Sequence, residues 1–314
     1  MKEEVRTDAP MRGAGRFAPS PTGRMHLGNV FAALMSWLDA RRKGLRWVLR
    51  IEDLDPQRSR LEHAQLIEDD LLWLGLMPDE GGLADSGPYG SYRQSARGDV
   101  YEAALERLKA TGLCYPCVCT RADIMATQAP HQSDGRVVYA GTCRPEVMPS
   151  PWHDADRPAA VRLAVGNAEI SFVDGTYGPQ TVRLAEHCGD FILRRADGAW
   201  AYQLAVVVDD AAMGVTSVVR GSDLLLSAAQ QIYLYRLLGC EPPAFTHIPL
   251  LCRSDGRRLS KRDASLSMAE LRRRYTAEEI LGRLAYLAGI IPEATPLTAS
   301  AILPHYTRPL PATL

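Results

Sequence analysis

The run Ala14-Gly15-Arg16-Phe17-Ala18 reads as a short buried strand that enters the turn Pro19-Ser20-Pro21-Thr22-Gly23 without a polar linker. Leu27, Val30, Phe31, Leu34, Met35 and Leu38 then recur at helical spacing, and Gly44 ends that helix. Trp47–Ile51 reads as a second strand. Ala64, Ile67, Leu71 and Leu74 mark one face of a helix from 60 to 74. Strand, helix, strand, helix in this rhythm restricts the chain to a parallel sheet, because parallel neighbours need a crossover that a helix supplies. The fold class expected is α/β, with a Rossmann-like parallel-sheet core.

The rhythm breaks between 114 and 190, a stretch rich in cysteine and proline with short β-like runs such as Val161–Val165. It reads as an insertion that splits the core. The α/β pattern resumes with strands expected at Tyr202–Val208 and Val215–Arg220. A helix is expected from Ser222 as N-cap to Gly239 as C-cap, and a last strand at Thr246–Leu251. A basic polar loop, Arg253 to Asp263, follows. The end of the chain is expected to be helical, with Ile280, Leu284, Leu287 and Ala288 in register. The expected units are 14–113 and 191–262 for the two halves of the core, 114–190 for the insertion and 263–314 for a short helical tail.

Composition narrows the function classes. Among 314 residues, 46% are hydrophobic and 23% charged, which excludes a disordered chain. No run of about 18 apolar residues exists to span a membrane, and the N-terminus has no apolar signal core. Lys and Arg number 36 against 37 Asp and Glu, so a protein that coats nucleic acid is disfavoured and only a local basic patch remains open. Seven cysteines, an odd number without an export signal, point to a reducing cytoplasm rather than a disulfide framework.

Two motifs carry the chemistry. His26, Gly28 and Asn29 open the first helix, where free backbone N–H groups and the positive end of the helix dipole suit a polyphosphate. A His here can donate to a phosphate oxygen as charge develops, and Gly28 lets a flat ring approach the backbone. Ser260 and Lys261 sit in the basic loop after the last sheet strand. At the carboxyl edge of a parallel sheet, Lys261 can stabilise a departing pyrophosphate.

Together, His26-Leu27-Gly28-Asn29 and Arg258-Leu259-Ser260-Lys261-Arg262 resemble the HIGH and KMSKS signatures of class I aminoacyl-tRNA synthetases. Arg16–Gly23, Arg50–Asp55, Gly87-Pro88-Tyr89 and Tyr92–Ser95 resemble the glutamyl branch of that class. Two positions depart from the signatures: Arg258 stands for the first KMSKS lysine, and Asn29 takes the last place of HIGH. A glutamyl-tRNA synthetase is expected to continue past the loop into a long helical anticodon-binding region, for which the 52 residues after Arg262 are too few. The short form is similar to the glutamyl-queuosine tRNA(Asp) synthetases, cytoplasmic bacterial paralogues.

That resemblance implies activation of L-glutamate by ATP with Mg²⁺ and without tRNA. The glutamyl group then passes to the cyclopentenediol of queuosine in the anticodon stem-loop of tRNA(Asp). It implies catalytic roles for His26 and Lys261, ATP contacts at His26, Gly28, Asn29, Ser260 and Lys261, and glutamate contacts at Arg16, Phe17, Ala18, Pro19, Ser20, Glu52, Tyr202 and Arg220. An arginine suits a carboxylate and Glu52 suits the ammonium; which arginine faces which carboxylate stays open. It also implies one structural Zn²⁺ on Cys117, Cys119, Tyr139 and Cys143; this sequence departs from the family in offering Cys114 and His131 as rival ligands. A monomer is expected. The basic residues from Arg253 to Arg274 form a local patch able to track an RNA backbone. Two other readings stay open: a truncated glutamyl-tRNA synthetase that charges tRNA(Glu), and a non-catalytic zinc-bearing RNA-binding paralogue.

Overall fold

A computed structural model describes residues 13–120, 123, 138–147, 158–251, 267–307 and 310–313. The chain forms β1 (Ala14–Phe17), α1 (Leu27–Arg42), β2 (Arg46–Leu49), α2 (Leu61–Trp73), β3 (Glu80–Gly81) and α3 (Gly98–Lys109). The insertion follows with β4 (Cys114–Cys117), β5 (Ala160–Leu163), β6 (Glu169–Asp174), β7 (Gly178–Arg183), α4 (Leu184–His187) and β8 (Phe191–Arg194). The core then resumes with α5 (Tyr202–Ala212), β9 (Val215–Gly221), α6 (Leu225–Leu237) and β10 (Ala244–Ile248), and α7 (Met268–Arg274), α8 (Ala277–Leu287) and α9 (Ala299–Ile302) close the chain.

β1, β2, β3, β9 and β10 make one sheet in the order β10-β9-β1-β2-β3, and every pairing is parallel. The chain leaves β1 toward β2 on one side and returns to β9 on the other. The crevice between the ends of β1 and β9 is therefore the topological switch point, where open parallel sheets take their ligands. Apolar residues of α1, α2 and the C-terminal helices pack on one face of the sheet; those of α3, α5 and α6 pack on the other. β4, β5 and β8 form a separate antiparallel sheet, and β6 and β7 a hairpin.

Several expectations are corrected. Tyr202–Val208 is the start of helix α5, not a strand. The three consecutive valines mimic a buried strand, but the helix is enclosed by core on nearly every side, so it carries no polar stripe to betray its period. Ser222 opens a single 3₁₀ turn (Ser222–Leu224); α6 starts at Leu225 without a side-chain cap. At its far end Leu238 is the cap, and Gly239, at φ +64°, takes the left-handed position that follows. The last strand ends at Ile248, not at Leu251. In α8, Ile280, Leu281, Leu284 and Ala285 face the core, whereas Leu287 is exposed. No helix among the described residues is long and apolar enough to cross a membrane.

Candidate active site

A cavity of about 950 Å³ opens at the switch point. Arg16, Phe17, Ala18, Pro19, Ser20, Glu52, Tyr202 and Arg220 all line it. The sheet explains this convergence. β1 delivers Arg16 to Ser20 at its carboxyl end, the turn after β2 delivers Glu52, the end of β9 delivers Arg220, and Tyr202 is the first residue of α5.

Glu52 is held by Arg50, whose guanidinium is fully buried. Arg50 lies 3.1 Å from Glu52, 2.5 Å from Asp210 and 3.8 Å from Asp209. Arg16 approaches Asp210 at 3.5 Å. Asp209 also accepts from Arg97 at 2.6 Å, from Gln94 at 2.8 Å and from the Tyr101 hydroxyl at 2.8 Å. Buried charges on this scale survive because each has an opposite neighbour, and Arg50, Glu52, Asp209 and Asp210 are hydrogen-bonded as well. Burial pushes the Glu52 carboxyl up, against the pull of Arg50 and Arg16. Burial also pushes the Tyr202 phenol up, reinforced by Glu52. Burial pulls the Arg220 guanidinium down, opposed by Tyr202.

A second cavity of about 280 Å³ adjoins the first and shares Asn29, Gly221 and Asp223 with it; His26 and Gly28 line it too. His26 is the N-cap of α1. Its Nδ1 accepts the Gly28 N–H at 3.1 Å, and its own N–H donates to Oδ1 of Asn29 at 3.1 Å, closing a capping box. Accepting at Nδ1 leaves the ring proton of the neutral imidazole on Nε2, as a donor. A Cβ on Gly28 would stand 3.0 Å from Cε1 of His26, so glycine preserves the ring's position.

Ser260 and Lys261 lie outside the described residues, as does His131. The residues on either side of that loop both reach the His26 end of the cleft. Leu251 lines the second cavity, Ser267 bridges His26, and the Met268 N–H donates to the Met25 carbonyl at 2.9 Å. Of the expected basic patch, Arg272 is engaged internally. It donates to Asp69, and to Asp70 at 2.9 Å, and stacks over Trp73. Arg24, just before His26, donates to the same buried Asp70 at 2.7 and 3.0 Å.

The cysteine cluster forms a small core of its own around Tyr115, Cys117, Tyr139 and Cys143. The thiols of Cys117, Cys119 and Cys143 all lie within 4.8 Å of one another. The Tyr139 hydroxyl is 3.4 Å from the Cys117 sulfur and 3.8 Å from that of Cys119. A tetrahedral ion with metal–sulfur bonds of about 2.3 Å places its sulfurs about 3.8 Å apart, so these four donors fit one ion. The Cys143 N–H donates to the Tyr139 oxygen at 2.8 Å, and the Arg162 guanidinium lies 3.8 Å above the phenol ring. The bond from the Cys143 N–H favours a phenolate, but burial and the bond with Cys117 outweigh it and push the Tyr139 phenol well above its usual value. Burial pushes the Cys119 thiol up to about 12; burial acts the same way on Cys143, but bonds from the Tyr139 hydroxyl and the Val118 N–H outweigh it and hold that thiol below its usual value. Cys114, at the other end of β4, packs instead against the core beneath α3 and α6.

Residues 14–296 match the family model of the class I tRNA synthetases (E and Q), catalytic domain. The chain belongs to that family. It is a ligase, and it groups with proteins named glutamyl-Q tRNA(Asp) synthetase. The one from Symbiobacterium thermophilum is 48% identical over 299 residues, covering 93% of this chain and 91% of the relative. The one from Nitratidesulfovibrio vulgaris is 48% identical over 309 residues, covering 94% of each. A crystal structure of a glutamate tRNA ligase from Elizabethkingia meningosepticum, in complex with its amino acid, aligns with a TM-score of 0.79 at 29% identity over 93% of this chain. This chain spans 64% of that ligase's length.

This class I synthetase site contains further residues that no local motif marks. Asp209 and Asp210 anchor the arginines and directly follow the strand-like valine run of α5. Two adjacent acids closing an apolar run are the available signal, since acids at a buried end need cationic partners. Asp174 and His247, which support Arg220, are separated by 73 residues and have no local signature.

Proposed function

We propose that this chain is a tRNA-independent glutamate-activating enzyme that transfers glutamate to queuosine in the anticodon loop of tRNA(Asp), acting as a monomer in the cytoplasm. The names of the relatives support this reading. The observation that carries it is the convergence of Arg16, Arg220 and buried Glu52 in one cavity beside His26. Glutamate has two carboxylates and one ammonium, and two guanidinium groups with one carboxylate match that set.

Glu52 holds the ammonium and Tyr202 adds a hydroxyl beside it. Arg16 and Arg220 take the carboxylates, with Phe17 to Ser20 walling the pocket. A glutamate α-carboxylate oxygen attacks the α-phosphorus of ATP; the bond to the β-phosphate oxygen breaks and pyrophosphate leaves. No protein nucleophile is required, because positioning and charge stabilisation suffice. His26 donates from Nε2, Gly28 and Asn29 seat the nucleotide, and Ser260 and Lys261 meet the leaving phosphates. Mg²⁺ supplies charge neutralisation on the triphosphate. A queuosine diol hydroxyl then attacks the acyl carbon; the ester forms, the proton leaves, and AMP is released. Cys117, Cys119, Cys143 and Tyr139 would hold Zn²⁺, which would brace the insertion and take no part in the reaction.

The test uses a tRNA(Asp) anticodon stem-loop with a 3′-terminal phosphate, so that queuosine carries the sole cis-diol. Uptake of labelled glutamate, lost after periodate treatment and missing from the guanine-containing loop, is expected. ATP–pyrophosphate exchange should proceed with glutamate alone. Exchange that strictly requires tRNA(Glu), or uptake that needs an intact CCA end, would replace this reading with a glutamyl-tRNA synthetase. No exchange under any condition would favour a non-catalytic RNA-binding protein.

A further inference from the structure

Arg220 reaches the cavity from the end of β9 and is fixed from behind by three acceptors. Its Nε donates to Nε2 of His247 at 3.1 Å, one Nη to Oε1 of Gln231 at 2.8 Å, and the other Nη to the Leu224 carbonyl at 3.3 Å. A guanidinium has about five N–H groups. These three bonds leave one N–H on each Nη, a pair that suits the two oxygens of one carboxylate.

His247 lies on the adjacent strand β10 and is fully buried. Arginine only donates, so Nε2 of His247 must be the unprotonated acceptor. The ring proton then sits on Nδ1, which lies 2.6 Å from Oδ2 of Asp174. Burial pulls the imidazole below its usual value, in keeping with a neutral ring. Asp174 belongs to the β6–β7 hairpin of the insertion. Its Oδ1 accepts the N–H groups of Thr176 and Tyr177, each at 3.0 Å, and this locks the hairpin turn. The hairpin is seated on β10. The Gly175 N–H donates to the Phe245 carbonyl at 2.9 Å, and a Cβ on Gly175 would come within 2.3 Å of the Thr246 hydroxyl oxygen. An apolar residue would fill the β10 position; a histidine bonded at both nitrogens does more.

We infer that Asp174 and His247 are positioning residues for amino-acid recognition: Asp174 selects the imidazole tautomer, and His247 orients the Arg220 fork toward the substrate carboxylate. This rests on the reading of Arg220 as a glutamate contact. It also ties the glutamate pocket to the seating of the insertion, whose apolar residues share one core with α3, α5 and α6.

Asp174→Asn is the decisive variant, because Oδ1 can keep the hairpin turn and the His247 backbone N–H at 3.3 Å while the amide group, in the place of Oδ2, presents N–H to Nδ1. The ring would then carry its proton on Nε2, facing the Arg220 donors. In glutamate-dependent ATP–pyrophosphate exchange, Asp174→Asn and His247→Leu should raise the KM for glutamate by about 10- to 100-fold, the scale of a displaced binding group. The KM for ATP and kcat should hold. His247→Gln, which keeps an acceptor near Nε2, should recover most of the loss. Equal damage from Gln and Leu, or a fall in kcat with an unchanged KM for glutamate, would overturn the inference. Where His247→Leu does not fold, as judged by circular dichroism, the comparison of Asp174→Asn with His247→Gln decides alone. Arg220→Lys separates the two levels. If it leaves the KM for glutamate unchanged, the reading of Arg220 fails and this inference with it. If it raises that KM while the Asp174 and His247 variants do not, the inference alone fails.

Discussion

Glu52→Gln removes one negative charge from the cavity and keeps the shape of the side chain. Arg50 is not orphaned by the change, since Asp210 at 2.5 Å and Asp209 at 3.8 Å remain and the amide oxygen can still accept. Stability should therefore move by no more than about 1 kcal/mol, a few degrees in Tm. The ammonium of glutamate loses a charge-assisted bond worth about 1.5–3 kcal/mol. That converts to a rise of about 10- to 150-fold in the KM for glutamate. The assay is ATP–pyrophosphate exchange over a range of glutamate concentrations, with a thermal melt in parallel. The pH dependence gives a second handle. Burial raises the Glu52 carboxyl above its ordinary value, so in the wild type affinity for the ammonium is present at high pH and is lost as pH falls through that raised value. The linked stability has the opposite sign. A carboxyl raised on folding contributes most below its unfolded value, and the contribution is lost as pH rises through the folded one. The Gln variant should show neither Glu52-linked component. An unchanged KM for glutamate, or an equal rise in the KM for ATP, would refute the assignment of Glu52 to the ammonium.

Lys261→Ala should lower the exchange rate by about 10²–10³, the scale for losing one charge contact to a transition state; an unaltered rate would remove Lys261 from the chemistry. Tyr139→Phe deletes one oxygen, and zinc measured by elemental analysis after a mild chelator should fall well below that of the wild type, whereas Cys114→Ser should retain it; the reverse pattern would reassign the fourth ligand. Chelation of the wild type should leave glutamate-dependent exchange largely intact, because the thiol cluster packs apart from the two cores that frame the cavity; parallel loss of zinc and exchange would refute a purely structural metal.

The first strand, its turn and the capped helix were legible because their information is local. An apolar run meets a Pro/Gly turn, and helical periodicity starts at once. The eight residues assigned to glutamate by resemblance come from four separate segments of chain, and the parallel sheet brings all of them to one cavity. Helix α5 has the sequence pattern of a strand because helical period shows only against a polar face, and its residues from Leu204 to Asp210 are all buried. The pairing of Arg50 with Asp210 across 160 residues, and of His247 with Asp174 across 73, was out of reach for a different reason. The first depends on how helix α5 packs against the sheet and the second on how the β6–β7 hairpin docks on β10, tertiary facts that no local spacing encodes.

Helix packing also changes how the basic run after the last strand should be understood. Read along the chain, Arg272, Arg273 and Arg274 look like equivalent contacts for RNA phosphates. In the fold they differ. Arg272 shares Asp70 with Arg24, so this one buried carboxylate ties the turn before His26 to the helix that follows the Lys261 loop. Arg273 and Arg274 are largely exposed and, among the described residues, pair with Glu270 in their own helix, at 2.8 and 3.7 Å. Exposed pairs of that kind are worth about 0–1 kcal/mol and readily exchange one anion for another. Each phosphate neutralised on a single strand contributes about −0.7 to the slope of log affinity against log salt. Loss of Arg273 or Arg274 should therefore flatten the salt dependence of stem-loop binding, and loss of Arg272 should instead loosen the approach of the two signature segments and lower exchange without RNA. The expectation of one uniform basic patch thus divides into a structural arginine and two that are free to meet phosphate.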